Sequence, residues 1–110
     1  MVIEFSVSGM PPYKQTPANN DEREHQHERR ELLKAEARKI CKSLTINEVR
    51  LDIIYSRHSG KADPANIIGG IADALQGIVY VNDRQIKTIH YIEKEGDKDQ
   101  YTISIKVKED

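Results

Sequence analysis

The sequence predicts a single α/β (α+β) domain over residues 1–110. It is a mixed four-stranded sheet with two helices, in the order strand, helix, strand, helix, strand, strand. Three observations predict it. Val2–Ser8, Val49–Arg57 and Gln100–Lys108 alternate apolar with polar residues, the period of a strand with one buried face. Two longer runs carry apolar residues at helical spacing, one through Leu33 and Ala37, the other through Ile67, Ile71 and Leu75. A chain of 110 residues has enough length for one modest core and little more.

Composition narrows the function. Hydrophobic residues make up 37% and charged residues 32%, with no tryptophan and one phenylalanine. The core must therefore come from Ile, Val, Leu and Tyr, and so lean a domain gains by burying apolar area in a homodimer. The net charge of −1 and pI near 6.4 lack the basic excess of a protein that coats DNA, so any nucleic-acid contact needs a local patch. One cysteine, Cys41, excludes an internal disulfide and suits a reducing, cytoplasmic setting. With no leader-like N-terminus and no long apolar run, no membrane association is expected.

In the first strand, Ile3, Phe5 and Val7 oppose Glu4, Ser6 and Ser8, and Gly9-Met10-Pro11-Pro12 ends it. Gln15–Asn20 is a polar loop holding Pro17. A helix then runs over Asp21–Leu44, capped by Asn20 or Asp21, with acidic residues in its first turn. Its apolar stripe is Leu33, Ala37, Ile40, Cys41 and Leu44, opposite Arg29, Arg30, Lys34, Arg38, Lys39 and Lys42. His25 and His27 stand two apart and so do not face each other; they read as surface residues. Val49–Arg57 carries apolar Ile54 on its second face, which predicts a central strand covered on both sides. Strands at Gln85–Lys94 and Gln100–Lys108 flank Glu95-Gly96-Asp97-Lys98-Asp99, a turn that predicts a β-hairpin. Lys106 and Lys108 suggest that the last strand lies near an edge.

The organising stretch is Lys61–Ile86. Asp63 followed by Pro64 starts a helix, because Asp63 can cap free amides and proline has none to leave unpaired. Gly77 stops it. Ile78–Val81 reads as extended, before the polar corner at Asn82-Asp83. Gly69 and Gly70 sit mid-helix, where each costs about 1 kcal/mol relative to alanine; a helix, a second subunit or a ligand backbone is expected against that face. Upstream, Arg57-His58-Ser59-Gly60-Lys61 is a basic loop leading straight into Asp63. Cations beside carboxylates are what a phosphodiester site needs, the former for phosphate and the latter for metal.

Asp63, Asn66, Asp73-Ala74-Leu75, Asp83, Gln85 and Ile86 stand in the order, and nearly at the spacing, of a motif D-x-D-N-L-x-K, then D-A-L, then an acidic pair ahead of Q-[VI]. In this the chain resembles the RusA family of Holliday junction resolvases. The resemblance implies a mixed α/β fold and a homodimer acting on branched DNA. It implies a Mg²⁺- or Mn²⁺-dependent endonuclease of recombination and repair. Asp63 and Asp83 are then the expected catalytic and metal-binding carboxylates, with Asp73 a weaker ligand candidate because it lies about 15 Å along the helix from Asp63. Lys14, Arg57, Lys61 and Arg84 are the expected DNA-binding cations, and Asn66 and Gln85 supporting residues. The chain departs from the motif at Ala65 (second aspartate), Gly69 (lysine) and Asn82 (first of the acidic pair). Those departures frame the alternative, a RusA-like dimer that binds DNA or a protein and has lost catalysis.

Overall fold

The computed structural model describes residues 1–109. Its elements are β1 (Val2–Ser8), α1 (Asn20–Ile40), β2 (Val49–Arg57), α2 (Pro64–Leu75), a 3-10 turn at Asp83–Gln85, β3 (Ile86–Glu95) and β4 (Gln100–Val107). The strands form one mixed sheet in the order β1-β4-β2-β3. β4 runs antiparallel to both β1 and β2, and β3 runs parallel to β2. Helix α2 is the crossover that a parallel pair requires.

This order corrects the expected hairpin. β2 lies between β3 and β4, so the Glu95–Asp99 connection bridges over the end of a third strand. Gly96 lies at the passage. Its amide donates to Arg57 O at 3.0 Å, and a Cβ there would stand 1.8 Å from Ser56 Oγ. The glycine serves a close crossing rather than a two-strand turn, and composition does not distinguish the two. It follows that β4 is interior and β3 is the edge. β4 alternates cleanly because one face of the sheet is bare.

Both faces of β2 were expected to be covered, and only one is. Ile3, Phe5 and Val7 on β1, Tyr101, Ile103, Ile105 and Val107 on β4, and Val49, Leu51, Ile53 and Tyr55 on β2 all point into one core. Leu33 and Ala37 of α1, and Ile67, Ile71, Ala74 and Leu75 of α2, close it from above. The opposite face carries Glu4, Ser6, Thr102, Ser104, Arg50, Asp52 and His90, and Ile54 there is 41% exposed. β2 is central, as predicted, yet Ile54 did not mark a second layer.

α1 is capped by Asn19, whose side chain accepts from Glu22 N at 2.8 Å, and it stops at Ile40, four residues before the sequence suggested. Tertiary pairing ends it: Thr45 N donates to Val79 O at 2.9 Å, so the chain must leave the helix to run beside residues 78–80. Ile40 and Leu44 consequently stay exposed, and the half-buried Cys41 thiol donates to Ser43 O and Ile78 O. Ile78–Val81 forms isolated bridges through Tyr80 rather than a strand.

Helix α2 matches its local signals. Asp63 is its N-cap, Pro64 opens it, and Gly77 follows the end at φ +87°. What approaches its glycines is the chain itself. A Cβ on Gly70 would lie 2.5 Å from Pro12 O, and one on Gly69 would lie 3.1 Å from Lys14 Cδ. The segment after β1 is laid on α2 there, tied by Lys14 N to Asn66 O at 2.9 Å. The glycines therefore carry no information about a second subunit.

Candidate functional site

Asp63 stands at the N-terminus of α2, at the end of the sheet where β2 finishes. Its Oδ1 accepts from Asn66 N at 2.9 Å, and Asn66 Nδ2 reaches Oδ2 at 3.3 Å. The carboxylate is solvent-exposed and fixed in direction by its own cap. Asn66 thus supports Asp63 directly, through a neighbour three residues along the helix.

The loop that delivers Asp63 is fastened at two points, by Asp99 and by the pair Arg57–Glu93, and sequence reasoning foresaw neither fastening. Asp99, from the β3–β4 connection, accepts from Tyr55 Oη at 2.6 Å, His58 N at 2.9 Å and Gly60 N at 3.2 Å on Oδ1. Its Oδ2 accepts from Ser59 N at 3.2 Å and Ser59 Oγ at 2.9 Å. Burial works to raise this carboxyl; the bonds from His58, Tyr55 and Ser59 outweigh it and hold the group well below the usual carboxylate range. Burial, then the bond to Asp99, pushes the Tyr55 phenol well up.

The second fastener is the pair Arg57–Glu93. The Arg57 guanidinium makes a forked contact with Glu93, 2.9 and 2.8 Å. It also donates to Gly60 O at 2.7 Å and Ala62 O at 2.8 Å, and lies over the Tyr55 ring at 5.0 Å. The bond to Glu93 raises Arg57, and the bond from Arg57 lowers Glu93. Four donors are thus spent inside the protein. Arg57 was expected to meet DNA; here its guanidinium is engaged by Glu93, Gly60 and Ala62 and shapes the loop. The signal available in the sequence was Tyr55, a phenol on a buried strand that has to find an acceptor.

Asp83 stands at the other end of α2. Its amide donates to Oε1 of Gln76, the C-cap residue of that helix, at 2.9 Å. Asn82 caps the 3-10 turn, accepting from Arg84 N at 2.8 Å. Gln85 ties the corner down. Its Oε1 accepts from Val81 N and Asn82 N at 3.0 and 2.9 Å, and its Nε2 donates to Thr45 O and Asn47 O, both at 2.9 Å. Burial first, then the Asp83 and Asp73 carboxylates, raise the Tyr80 phenol. Asp83 therefore shares its surroundings with Asp73, not with Asp63.

The structure does not bring Asp63 and Asp83 together within one chain. They lie beyond opposite ends of a helix of 12 residues, a span of about 18 Å. The sheet gives the same result: Ile86 pairs with Val49 at the start of β2, while the loop to Asp63 leaves from Arg57 at its end. A Mg²⁺ ion needs its oxygens at about 2.0–2.1 Å. One chain alone does not fit a cation held between these two carboxylates. Among the described residues, no group of three or more His, Cys, Asp or Glu side chains is gathered for a metal.

Of the remaining expected cations, Lys14 is turned to Asp73, with Nζ 3.1 Å from Oδ2, and its stem lies across Gly69. Lys61 and Arg84 are exposed and their side chains pair with nothing among the described residues. They stand at the two separate ends, Lys61 beside Asp63 and Arg84 beside Asp83. No helix among the described residues is long and apolar enough to cross a membrane.

No curated protein matches the chain. A family model described as endodeoxyribonuclease RusA matches residues 12–108, which takes in both ends of α2 and every motif residue from Asp63 to Ile86. Enzymes of that family are Holliday junction resolvases and generally depend on a divalent metal. With the match running from the segment after β1 through the end of β4, and with the β-α-β-α-β-β order on a mixed sheet, this chain belongs to the RusA endodeoxyribonuclease family.

Proposed function

We propose that the protein is a Mg²⁺- or Mn²⁺-dependent endonuclease that cuts Holliday junctions or related branched DNA as a homodimer, in recombination and repair. The observation that carries this reading is the family match over residues 12–108, a span that includes Asp63 and Asp83, both of them exposed. Because the two stand apart in one chain, a cation bound by both requires Asp63 of one copy and Asp83 of another. Such an ion would supply Lewis-acid stabilisation to a phosphodiester. The chain's own part is to hold the two carboxylates still, through the Asp63 cap and the Gln85 corner, and to offer Lys61 and Arg84 to phosphate.

The test uses a labelled four-way junction with Mg²⁺ or Mn²⁺. Wild type is expected to cut it, and Asp63→Asn or Asp83→Asn to lose about a hundredfold or more. Mixing the two inactive variants is expected to recover cleavage, because a mixed dimer pairs one intact Asp63 with one intact Asp83. Absence of cutting by wild type with either metal overturns the reading. Ala65 and Gly69 favour a second one, a dimer that binds junctions without cutting them. Junction affinity that falls steeply with salt, and no product, selects it.

A further inference from the structure

We propose that the cavity between the segment after β1 and helices α1 and α2 takes one unstacked nucleobase of the DNA, with Gln26 as the group that meets the edge of the base. This rests on the branched-DNA reading above and adds to it a binding site apart from the two carboxylate ends.

The cavity has a volume of about 490 Å³, within the span of small-molecule sites, roughly 300–1,000 Å³. Pro12, Tyr13 and Pro17 give it apolar walls, and Gln26, Arg30 and Asp73 give it polar groups. Apolar walls with a few placed polar groups suit a flat heterocycle.

Gln26 sets this cavity apart from a surface crease. It stands seven residues before Leu33 and eleven before Ala37, on the stripe of α1 that faces the core. An apolar side chain is expected there. Instead an amide is 3% exposed, and, tyrosines aside, no other polar or charged residue among those described is buried. Burying an amide is costly unless its hydrogen bonds are met. The group offers two N–H donors and a carbonyl acceptor. Nε2 donates to Gln15 O at 3.3 Å, long for such a bond. The second N–H and Oε1 bond to nothing among the described residues, and Gln26 lines the cavity. The pairing edge of a base likewise sets a donor beside an acceptor, and unstacked bases are recognised by that edge.

The charges fit the phosphate that comes with a base. Arg30 is half-buried, lines the cavity and pairs with nothing among the described residues. Asp73 also lines it, and Lys14 answers that carboxylate at 3.1 Å. Two cations against one carboxylate leave the lining positive, in a chain of net charge −1. At Tyr13, Arg29 over the ring and Glu22 at the hydroxyl offset each other.

The cavity also lies near a carboxylate. Lys14 N donates to Asn66 O at 2.9 Å, and Asn66 holds Asp63. Gly70, which lines the cavity, is seven residues along α2 from Asp63, about 10 Å of helix. A strand with a phosphate at Asp63 can therefore place a nearby base here. Unstacking costs least where pairing or stacking is already disturbed, and a branch point interrupts the stack.

The test measures binding of the full chain to four-way junctions without divalent metal, so that no strand is cut. Each junction carries one abasic nucleotide, moved stepwise past the branch. Wild type is expected to lose about tenfold in affinity at one position of the strand, and 2-aminopurine placed there is expected to brighten on binding as it leaves the stack. Gln26→Leu, checked for folding by circular dichroism, is expected to bind the intact junction about tenfold more weakly and to lose nothing further at the abasic position. Arg30→Ala is expected to weaken intact and abasic junctions alike, because a phosphate contact is blind to the base. A Gln26 that only ties down the 15–17 loop gives no such coupling: Gln26→Leu then keeps the full abasic loss, and the proposal falls. A flat abasic scan, or no brightening, from a protein that still binds and cuts junctions overturns this inference alone. Failure to bind any junction overturns it together with the function it rests on.

Discussion

The two ends of α2 carry the two carboxylates that matter most, and they are built from different chemistry. At the Asp63 end the backbone is held by ions: Asp99 collects five hydrogen bonds, and Arg57 with Glu93 clasps Gly60 and Ala62. At the Asp83 end it is held by neutral amides: Gln85 makes four bonds, Gln76 one, and Asn82 caps the turn. Bonds to a charged group are worth about 1.5–3 kcal/mol and neutral ones about 0.5–1.5 kcal/mol. The Asp63 loop is therefore the stronger seat and the one that protons can loosen, whereas the Asp83 corner is weaker and indifferent to pH.

The largest expected effect breaks the ionic end. Asp99→Asn turns an acceptor of five donors into a group that must set an NH₂ against some of them. A loss of about 3 kcal/mol is expected in urea unfolding at pH 7, with amide exchange rising at His58, Ser59 and Gly60 and little changed at Asp83 and Arg84. The pH dependence follows from the depressed Asp99 carboxyl. A group held low in the folded state contributes its stability above the unfolded value, near pH 4, and loses it as pH falls toward the folded one. Wild-type stability should drop steeply below about pH 4, and the variant's curve should be flatter there. Equal slopes for the two proteins would remove Asp99 from the account.

Next comes the neutral end. Gln85→Leu keeps the volume and removes all four bonds, some of which water can replace. A loss of about 1–2 kcal/mol is expected, the same at pH 4 and pH 7, with faster exchange at Val81 and Asn82. A loss that varied with pH in this range would erase the distinction between the two ends.

The same contrast marks how far the sequence could be read. Helix α2 was legible because its signals are local: Asp63 caps it, Pro64 opens it, Gly77 closes it. Asn66 stands three residues from the Asp63 it holds. Gln85 Oε1 takes the amides of Asn82 and Val81, three and four residues back, but Gln85 Nε2 reaches Thr45 and Asn47, 40 and 38 residues away, which no local pattern shows. What escaped depends on partners distant in sequence. Asp99 is one more polar residue in a turn until Tyr55 and the 58–60 backbone are folded against it. Arg57 looked free for DNA because Glu93, 36 residues away, gives no local sign. The supposed hairpin had suitable turn residues, and only the insertion of β2 shows Gly96 to be a crossing glycine. The separation of Asp63 from Asp83 belongs with these: it follows from the direction of β3 relative to β2, which no run of residues encodes by itself.

The smallest expected effect lies between the two ends, at the pair Lys14–Asp73. Both side chains are about half exposed, and such pairs are worth about 0–1 kcal/mol, less in salt. The stem of Lys14 has a second role, since it covers Gly69 where the motif otherwise places a lysine. The two roles separate by substitution. Lys14→Met keeps the stem and removes the charge; its cost should be a few tenths of a kcal/mol and vanish at high salt. Lys14→Ala removes both, and should cost more than the Met variant at every salt concentration, because apolar stem area over Gly69 returns to water. If the two variants unfold alike in high salt, Lys14 is an ion pair only, and the space above Gly69 is open for a cation from elsewhere to enter.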